Sequence, residues 1–216
     1  MTSTDEARQR AYNQATADYY HDRHVDGDES EHELALELLV MLARHHGVAG
    51  SFLDVGAGTG RAMKALASAF PQARVQGFEP EAELRQQAEI INGISSADLR
   101  EGDALQLPYA DDSFDWVVET GVLHYIRHWP QAVAEMARVA RYGVLISDTN
   151  NIGQGSQLIR KLKKVIKKLG LWNPFVWLQT NGKMSKWSEG DGVNYRGGAD
   201  LLSEVSHVAI VARRAV

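Results

Sequence analysis

The sequence predicts a doubly wound α/β domain: a mostly parallel sheet with helices on both faces. Two features carry that prediction. Between Ser51 and Thr149, short apolar runs of strand character alternate with helical stretches. Such alternation calls for right-handed crossovers over a parallel sheet. The first strand then runs straight into "FLDVGAGTG", Phe52 to Gly60, with glycines at alternate positions. Glycines so placed let the backbone approach a nucleotide-like ligand. Open α/β sheets bind ligands outside the carboxyl ends of their strands, where strand order reverses. At 216 residues the chain suits one domain with a sizeable core and is short for two.

Residues 1–50 read as a helical cover. In "EARQRAYNQATADYY" Ala7, Ala11, Ala15 and Tyr19 recur at every fourth position, a helical stripe. "HELALELLVMLARHHG" is a second helix, with Leu34, Leu38 and Leu42 on one face and Gly47 as its stop. The core, 51–149, begins with strand "SFLDV" and helix "RAMKALASAF", which Pro71 ends. Strand "RVQGFE" and helix "EAELRQQAEIIN" follow, the helix closed by Gly93. "ADLRE" is a polar strand that suits a sheet edge. "FDWVVET", helix "QAVAEMARVA" and strand "YGVLISDT" complete the alternation. Residues 150–205 hold the basic amphipathic helix "SQLIRKLKKVIKKLG" and a loop rich in Gly, Asn and Trp, whose path is not legible. The last strand, "SHVAIVARR", belongs to 206–216.

A hydrophobic share of 44% and a charged share of 24% are those of an ordinary globular protein. The net charge of −5 offers no global electrostatic case for nucleic acid. With no cysteines there are no disulfides, thiolate metal sites or cysteine nucleophiles, and no metal is expected. The polar N-terminus lacks the apolar run of a secretory leader, and no apolar stretch nears the roughly 18 residues of a membrane span. A cytoplasmic protein is the expectation, with peripheral membrane contact left open by its basic segment. Residues 151–188 carry eight Lys/Arg and no Asp/Glu, so the rest of the chain sums to −13. An acidic partner should therefore meet that one segment.

Three ligand readings compete for the glycine loop. A phosphate-binding P-loop needs Lys and then Ser or Thr after its last glycine. Arg61 and Ala62 follow Gly60 instead, which excludes it. A dinucleotide fingerprint aligned on Gly56 and Gly58 places Arg61 where Gly or Ala should allow close helix packing. It survives only as a degenerate match. In the third reading, "FLDVGAGTG" resembles motif I of the class I S-adenosylmethionine-dependent methyltransferases, an acidic residue followed by a G-x-G-x-G loop. "GFEP" and "EGDALQLPYADDSFD" resemble that family's next two motifs, in order and at its spacing. "LPYADDSFDWVVETGVLHYI" is similar to its small-molecule branch, the ubiquinone- and menaquinone-biosynthesis enzymes. The resemblance covers roughly Ser51 to Thr149.

The resemblance implies a Rossmann-like methyltransferase sheet, S-adenosylmethionine as methyl donor and S-adenosylhomocysteine as product. It also implies a cofactor site. Asp54, Gly56, Ala57, Gly58 and Gly60 would form the loop around the amino-acid tail. Glu79 and Pro80 would take the ribose, and Asp103 and Ala104 the adenine. Glu119 and Thr120 would shape the pocket at the fourth strand's end. The chemistry agrees: this cofactor carries a sulfonium but no phosphate, so no phosphate-grasping cation is required. Its carboxylate suits the orphan N–H groups that open the "RAMKAL" helix, and an ionised Glu79 accepts two hydroxyl hydrogens.

Methyl transfer needs chiefly alignment of acceptor and donor, and an oxygen acceptor also needs a base. His124, in "ETGVLHYI" after the fourth strand, is the candidate. The competing role is an imidazole packed on the cofactor or bonded to backbone. Asp148, in "LISDTN", sits at the same crevice and could orient a substrate hydroxyl, assist His124 or cap its loop. Tyr12, Tyr19 and Tyr20, and later Trp172, Phe175, Trp177 and Trp187, could close the pocket or merely pack.

In the basic helix, Leu158, Ile159, Leu162, Val165, Ile166 and Leu169 line one face, with six Lys/Arg opposite. Three readings stay open: a domain helix with a solvated basic face, docking of residues 156–169 on anionic membrane, or binding of an acidic substrate. The expected function is methylation of a small-molecule or glycan-like acceptor, at oxygen. The alternative is a non-catalytic protein that binds S-adenosylmethionine or S-adenosylhomocysteine and acts through partners or membrane.

Overall fold

A computed structural model describes residues 29–126, 128–149, 157–171, 174, 185–187, 194–196 and 207–213. Its centre is a six-stranded sheet. The strands are β1 (Ser51–Val55), β2 (Arg74–Phe78), β3 (Leu99–Arg100), β4 (Phe114–Thr120), β5 (Ala140–Thr149) and β8 (His207–Arg213). The first five are parallel, and β8 runs antiparallel beside β5. From β1 the chain steps outward through β2 to β3, then returns to place β4 on the other side of β1. The order reverses between β1 and β4, so the ligand crevice of such a sheet lies at their carboxyl ends.

Alternate residues of the central strands feed two cores, as a sheet buried on both faces requires. Leu53, Val55, Val117, Val144 and Ile146 pack against Ala132, Met136 and Val139 of helix α4 (Trp129–Val139). Phe52, Trp116, Val118 and Leu145 face α1 (Glu29–His46) and α2 (Arg61–Ala69). Trp116 Nε1 donates to the Val48 carbonyl at 2.7 Å, tying the turn after α1 to the sheet. Helix α3 (Ala82–Asn92) ends at Gly93, where φ is 67°. The Gly93 and Ile94 N–H groups then cap the last carbonyls.

Helix α1 turns differently from its sequence pattern. The buried face is Ala35, Leu36, Leu39 and Ala43, whereas Leu34 is 57% and Leu38 42% exposed. Two apolar stripes overlap in "LALELLVMLA". The one that carries alanines meets the sheet, because small side chains let the helix approach Trp116 and Leu145 closely.

The 107–111 loop after β3 is held by α4. Arg138 Nη1 donates to the Tyr109 carbonyl at 2.7 Å and to Asp111 Oδ1 at 2.9 Å. Its Nη2 donates to the Leu107 carbonyl, and Leu107 N–H donates to Glu135 Oε2. The Arg138 hydrogen bonds hold the Glu135 carboxyl down at about 2.

Strand β8 falls within the predicted last strand, "SHVAIVARR". Within the insertion, β6 (Ser185–Trp187) and β7 (Asn194–Arg196) pair antiparallel as a separate ribbon that the sequence did not reveal. Helix α5 (Gln157–Lys168) carries the basic run, but its faces are not divided as expected. Lys163 is buried, while Leu162, Val165 and Leu169 are exposed. The expected first helix, with Tyr12, Tyr19 and Tyr20, lies outside the described residues, as do Trp172, Phe175 and Trp177.

Candidate functional site

The glycine loop is built for close approach. Gly56, Gly58 and Gly60 all have positive φ, at 75°, 54° and 76°. A Cβ on Gly56 would stand 2.6 Å from Val122 Cγ1, and one on Gly60 2.6 Å from Ile94 Cγ1. Those two glycines let neighbouring segments seat against the loop. Gly58 is different, because nothing lies within 4 Å of where its Cβ would be. It faces open space. The Gly56 and Ala57 N–H groups donate to the Phe78 carbonyl, fastening the loop to the end of β2. Gly60 leads α2 without any side-chain cap, which leaves the first N–H groups of the helix without a capping side chain.

Carboxylates converge on this loop. Asp54 pairs with Gly77 on β2 and with Val118 on β4. It is 0% exposed, and neither carboxylate oxygen has a hydrogen-bond partner. Burial first, then the nearby Glu79 charge, pushes its pKa up to about 7 against the pull of Arg61. Glu79 follows β2 and accepts from Gly58 N–H (2.9 Å, Oε2) and Glu81 N–H (2.9 Å, Oε1). Burial raises its pKa to about 7 despite those two bonds. Each oxygen keeps a further acceptor position. Pro80 is exposed, and its carbonyl and that of Glu79 both accept from Arg85 Nη1.

Glu119 is fully buried near the end of β4. Its Oε1 accepts from the Val122 and Leu123 N–H groups, and its Oε2 has no partner. Burial and then the Asp148 charge raise its pKa well above the usual carboxylate range. The carboxylate thus clamps the turn into the 3-10 helix Leu123–Tyr125 that carries His124. Val122 of that turn is the residue seated on Gly56, so the turn and the glycine loop interlock. Thr120 pairs with Ser147 at the end of the strand, and Asp148, half-buried, pairs with Val208.

The structure therefore brings together Asp54, the glycine loop, Glu79, Glu119 and the backbone of His124, whose imidazole lies outside the described side chains. Asp103 lies further out. It is exposed, and its Oδ1 accepts from Leu105 N–H at 2.9 Å, turning its own loop. Ala104 beside it packs on the core.

One residue escaped the sequence reading. His32, on α1, is buried, and its Nδ1 lies 2.8 Å from Ser147 Oγ at the end of β5. Its Nε2 would stand 3.2 Å from a Cβ on Gly121, just past Thr120. No local pattern marks it, since 115 positions separate the bonded pair.

A sheet ordered 3-2-1-4-5 with a glycine loop and acidic residues at its carboxyl edge is the Rossmann-like methyltransferase fold. Comparisons with known proteins agree. Residues 53–147 match the family model described as a methyltransferase domain. That stretch carries the features of a class I S-adenosylmethionine-dependent methyltransferase domain. The chain is 32% identical over 98 residues to a demethylmenaquinone methyltransferase of Roseiflexus sp., covering 45% of this chain and 41% of that one. It is 35% identical over 92 residues to a malonyl-[acyl-carrier protein] O-methyltransferase of Methylococcus capsulatus, covering 42% and 34%. The matched stretch thus spans less than half the length of these relatives. Among solved structures, magnesium protoporphyrin IX methyltransferase from Synechocystis superposes with a TM-score of 0.57 at 20% identity, over 76% of this chain and 78% of that one.

S-adenosylmethionine is the cofactor of this domain. The chain's own residues fit it: a buried carboxylate without a partner, Asp54, lies beside a loop whose Gly58 opens to space. A cationic ammonium meets the need of the first, and a bulky uncharged ribose the room beside the second. No group of three or more metal-ligating side chains occurs among the described residues, and none of their helices is long and apolar enough to cross a membrane.

Proposed function

We propose that the chain transfers a methyl group from S-adenosylmethionine to a small-molecule or glycan-like acceptor, at oxygen. The buried, unpartnered Asp54 carries this reading. A charged group left so costs several kcal/mol in an empty protein, and a ligand ammonium removes that cost. When bound, S-adenosylmethionine supplies an already activated methyl on a sulfonium.

The chain's residues bind and align. Asp54 takes the ammonium, and the uncapped start of α2 takes the carboxylate. Glu79, pre-set by two backbone N–H groups, accepts the ribose hydroxyls, with Pro80 turning the chain away behind it. Asp103 and Ala104 border the adenine. Glu119 and Thr120 form the pocket floor, and the Glu119 clamp holds the His124 turn at the mouth. His124 takes the acceptor's proton, and Asp148 orients the acceptor or the imidazole. In this reading 51–149 is the cofactor core, 1–50 its cover, 150–205 the substrate side and 206–216 the closing strand of one domain.

The net charge of −5 favours a small acceptor over nucleic acid. Mutation tests the base: His124→Ala should lower turnover about a hundredfold or more, as loss of a general base does, with S-adenosylhomocysteine affinity kept. Unchanged turnover would remove His124 from the chemistry. Absence of methylated product across oxygen acceptors, with cofactor binding intact, would instead support a non-catalytic binding protein.

A further inference from the structure

We infer that helix α5 is a docking surface for anionic lipid, a role independent of which acceptor the crevice takes. Helical spacing puts Leu162, Val165 and Leu169 in one stripe, at i, i+3 and i+7. They are 56%, 53% and 65% exposed, and Leu171 just beyond is 51% exposed. An apolar row this open is unusual for a domain helix, which buries such a row and exposes its lysines. Here the row is open to solvent, and Lys163, on a different side of the helix, is only 7% exposed.

The helix is also finished as a unit. Gly170 has a φ of 71°, and Leu169 N–H and Leu171 N–H donate to the Val165 and Ile166 carbonyls. That is a Schellman closure, and it sets Leu171 just past the end of the stripe.

Charge identifies the occupant. Lys161 and Lys168 are exposed and fall together along one edge of the apolar row. The surrounding segment, 151–188, holds eight Lys/Arg and no acidic residue in a chain of net charge −5. A protein partner would need its own apolar groove, whereas an anionic bilayer presents acyl chains under a negative surface everywhere. Leucines that enter the headgroup–acyl boundary beside lysines that meet the lipid phosphates match that layering. Only seven residues separate α5 from β5, so the helix starts within about 29 Å of the crevice end of the sheet. Docking there would bring the mouth of the crevice near the lipid surface.

The chain lacks cysteine, so a single introduced thiol reports cleanly. With an environment-sensitive dye on Val165→Cys, vesicles of phosphatidylcholine with phosphatidylglycerol should shift emission to the blue. The same dye on Ile90→Cys, on the exposed side of α3, should not shift. Co-sedimentation should show binding to those vesicles, little to phosphatidylcholine alone, and release at high salt. Lys161→Glu with Lys168→Glu should weaken binding at least about thirtyfold, at about fivefold per charge. Leu162→Ser with Leu169→Ser should weaken it at least about tenfold. These sites are exposed, so melting temperatures should match the parent.

Equal binding to both lipids, no binding, or full binding by the leucine variant would overturn the inference. So would leucine-dependent self-association without vesicles, which would make α5 a contact between copies of this chain. None of these outcomes touches methyl transfer, which is assayed with soluble acceptors.

Discussion

Asp54→Asn should do two opposite things at once: abolish cofactor binding and stabilise the unliganded protein at alkaline pH. The carboxyl is fully buried, and its pKa rises from 3.8 to about 7. The sign follows from proton counts. Between those values the folded protein keeps a proton that the unfolded chain has lost, so stability falls as pH rises through that window. At about 1.4 kcal/mol per unit, the shift amounts to about 4 kcal/mol by about pH 8. A buried Asn amide without partners takes back about 1–3 kcal/mol. The net gain is therefore about 1–3 kcal/mol, or roughly 2–10 °C in Tm for a chain of this size. At about pH 4 the native carboxyl is already neutral, so the variant should gain nothing there and be slightly less stable. Thermal melts of both proteins across pH, with and without S-adenosylhomocysteine, test this. The ligand should raise the Tm of the parent but not of the variant. Equal destabilisation at both pH extremes would mean instead that Asp54 has a native partner.

Three further expectations concern the frame of the site. Gly56→Ala puts a methyl 2.6 Å from Val122 at a φ of 75°, so it should cost about 1–3 kcal/mol in chemical unfolding. Its S-adenosylhomocysteine affinity should fall as well. Glu119→Ala frees the Val122 and Leu123 N–H groups and should lower kcat more than cofactor affinity; Glu119→Gln, which keeps an acceptor, should restore part of it. His32→Ala leaves the buried Ser147 hydroxyl without its imidazole partner and should cost about 1–3 kcal/mol, read as a lower denaturant midpoint.

Much of the frame was legible because it is local. β1 and β4 span the residues their apolar runs marked, Ser51–Val55 and Phe114–Thr120, since strands buried on both faces read as continuous apolar segments. Gly93 announced the end of α3, and the alternate glycines announced their own loop. Placement across the chain was not legible. Leu34 and Leu38 formed as good a stripe as Ala35, Leu36 and Leu39, and only the sheet's contour chose between them. His32 meets Ser147 across the fold, and no window of sequence holds both. The inward turn of Lys163 likewise depends on what lies under α5. Glu119 stands between these cases. Its partners are only three and four residues on, yet a carboxylate that clamps a turn reads in sequence like any polar residue at a strand end.

The Phe52–Gly60 loop, Asp54 and Glu79 are proposed to hold a sulfonium cofactor and not a dinucleotide. Calorimetric titration of the unmodified chain with S-adenosylhomocysteine and, separately, with NAD tests it most directly. Saturable one-site binding of the thioether, lost in Asp54→Asn, is expected, with no heat from NAD. Binding of NAD without binding of S-adenosylhomocysteine would contradict it.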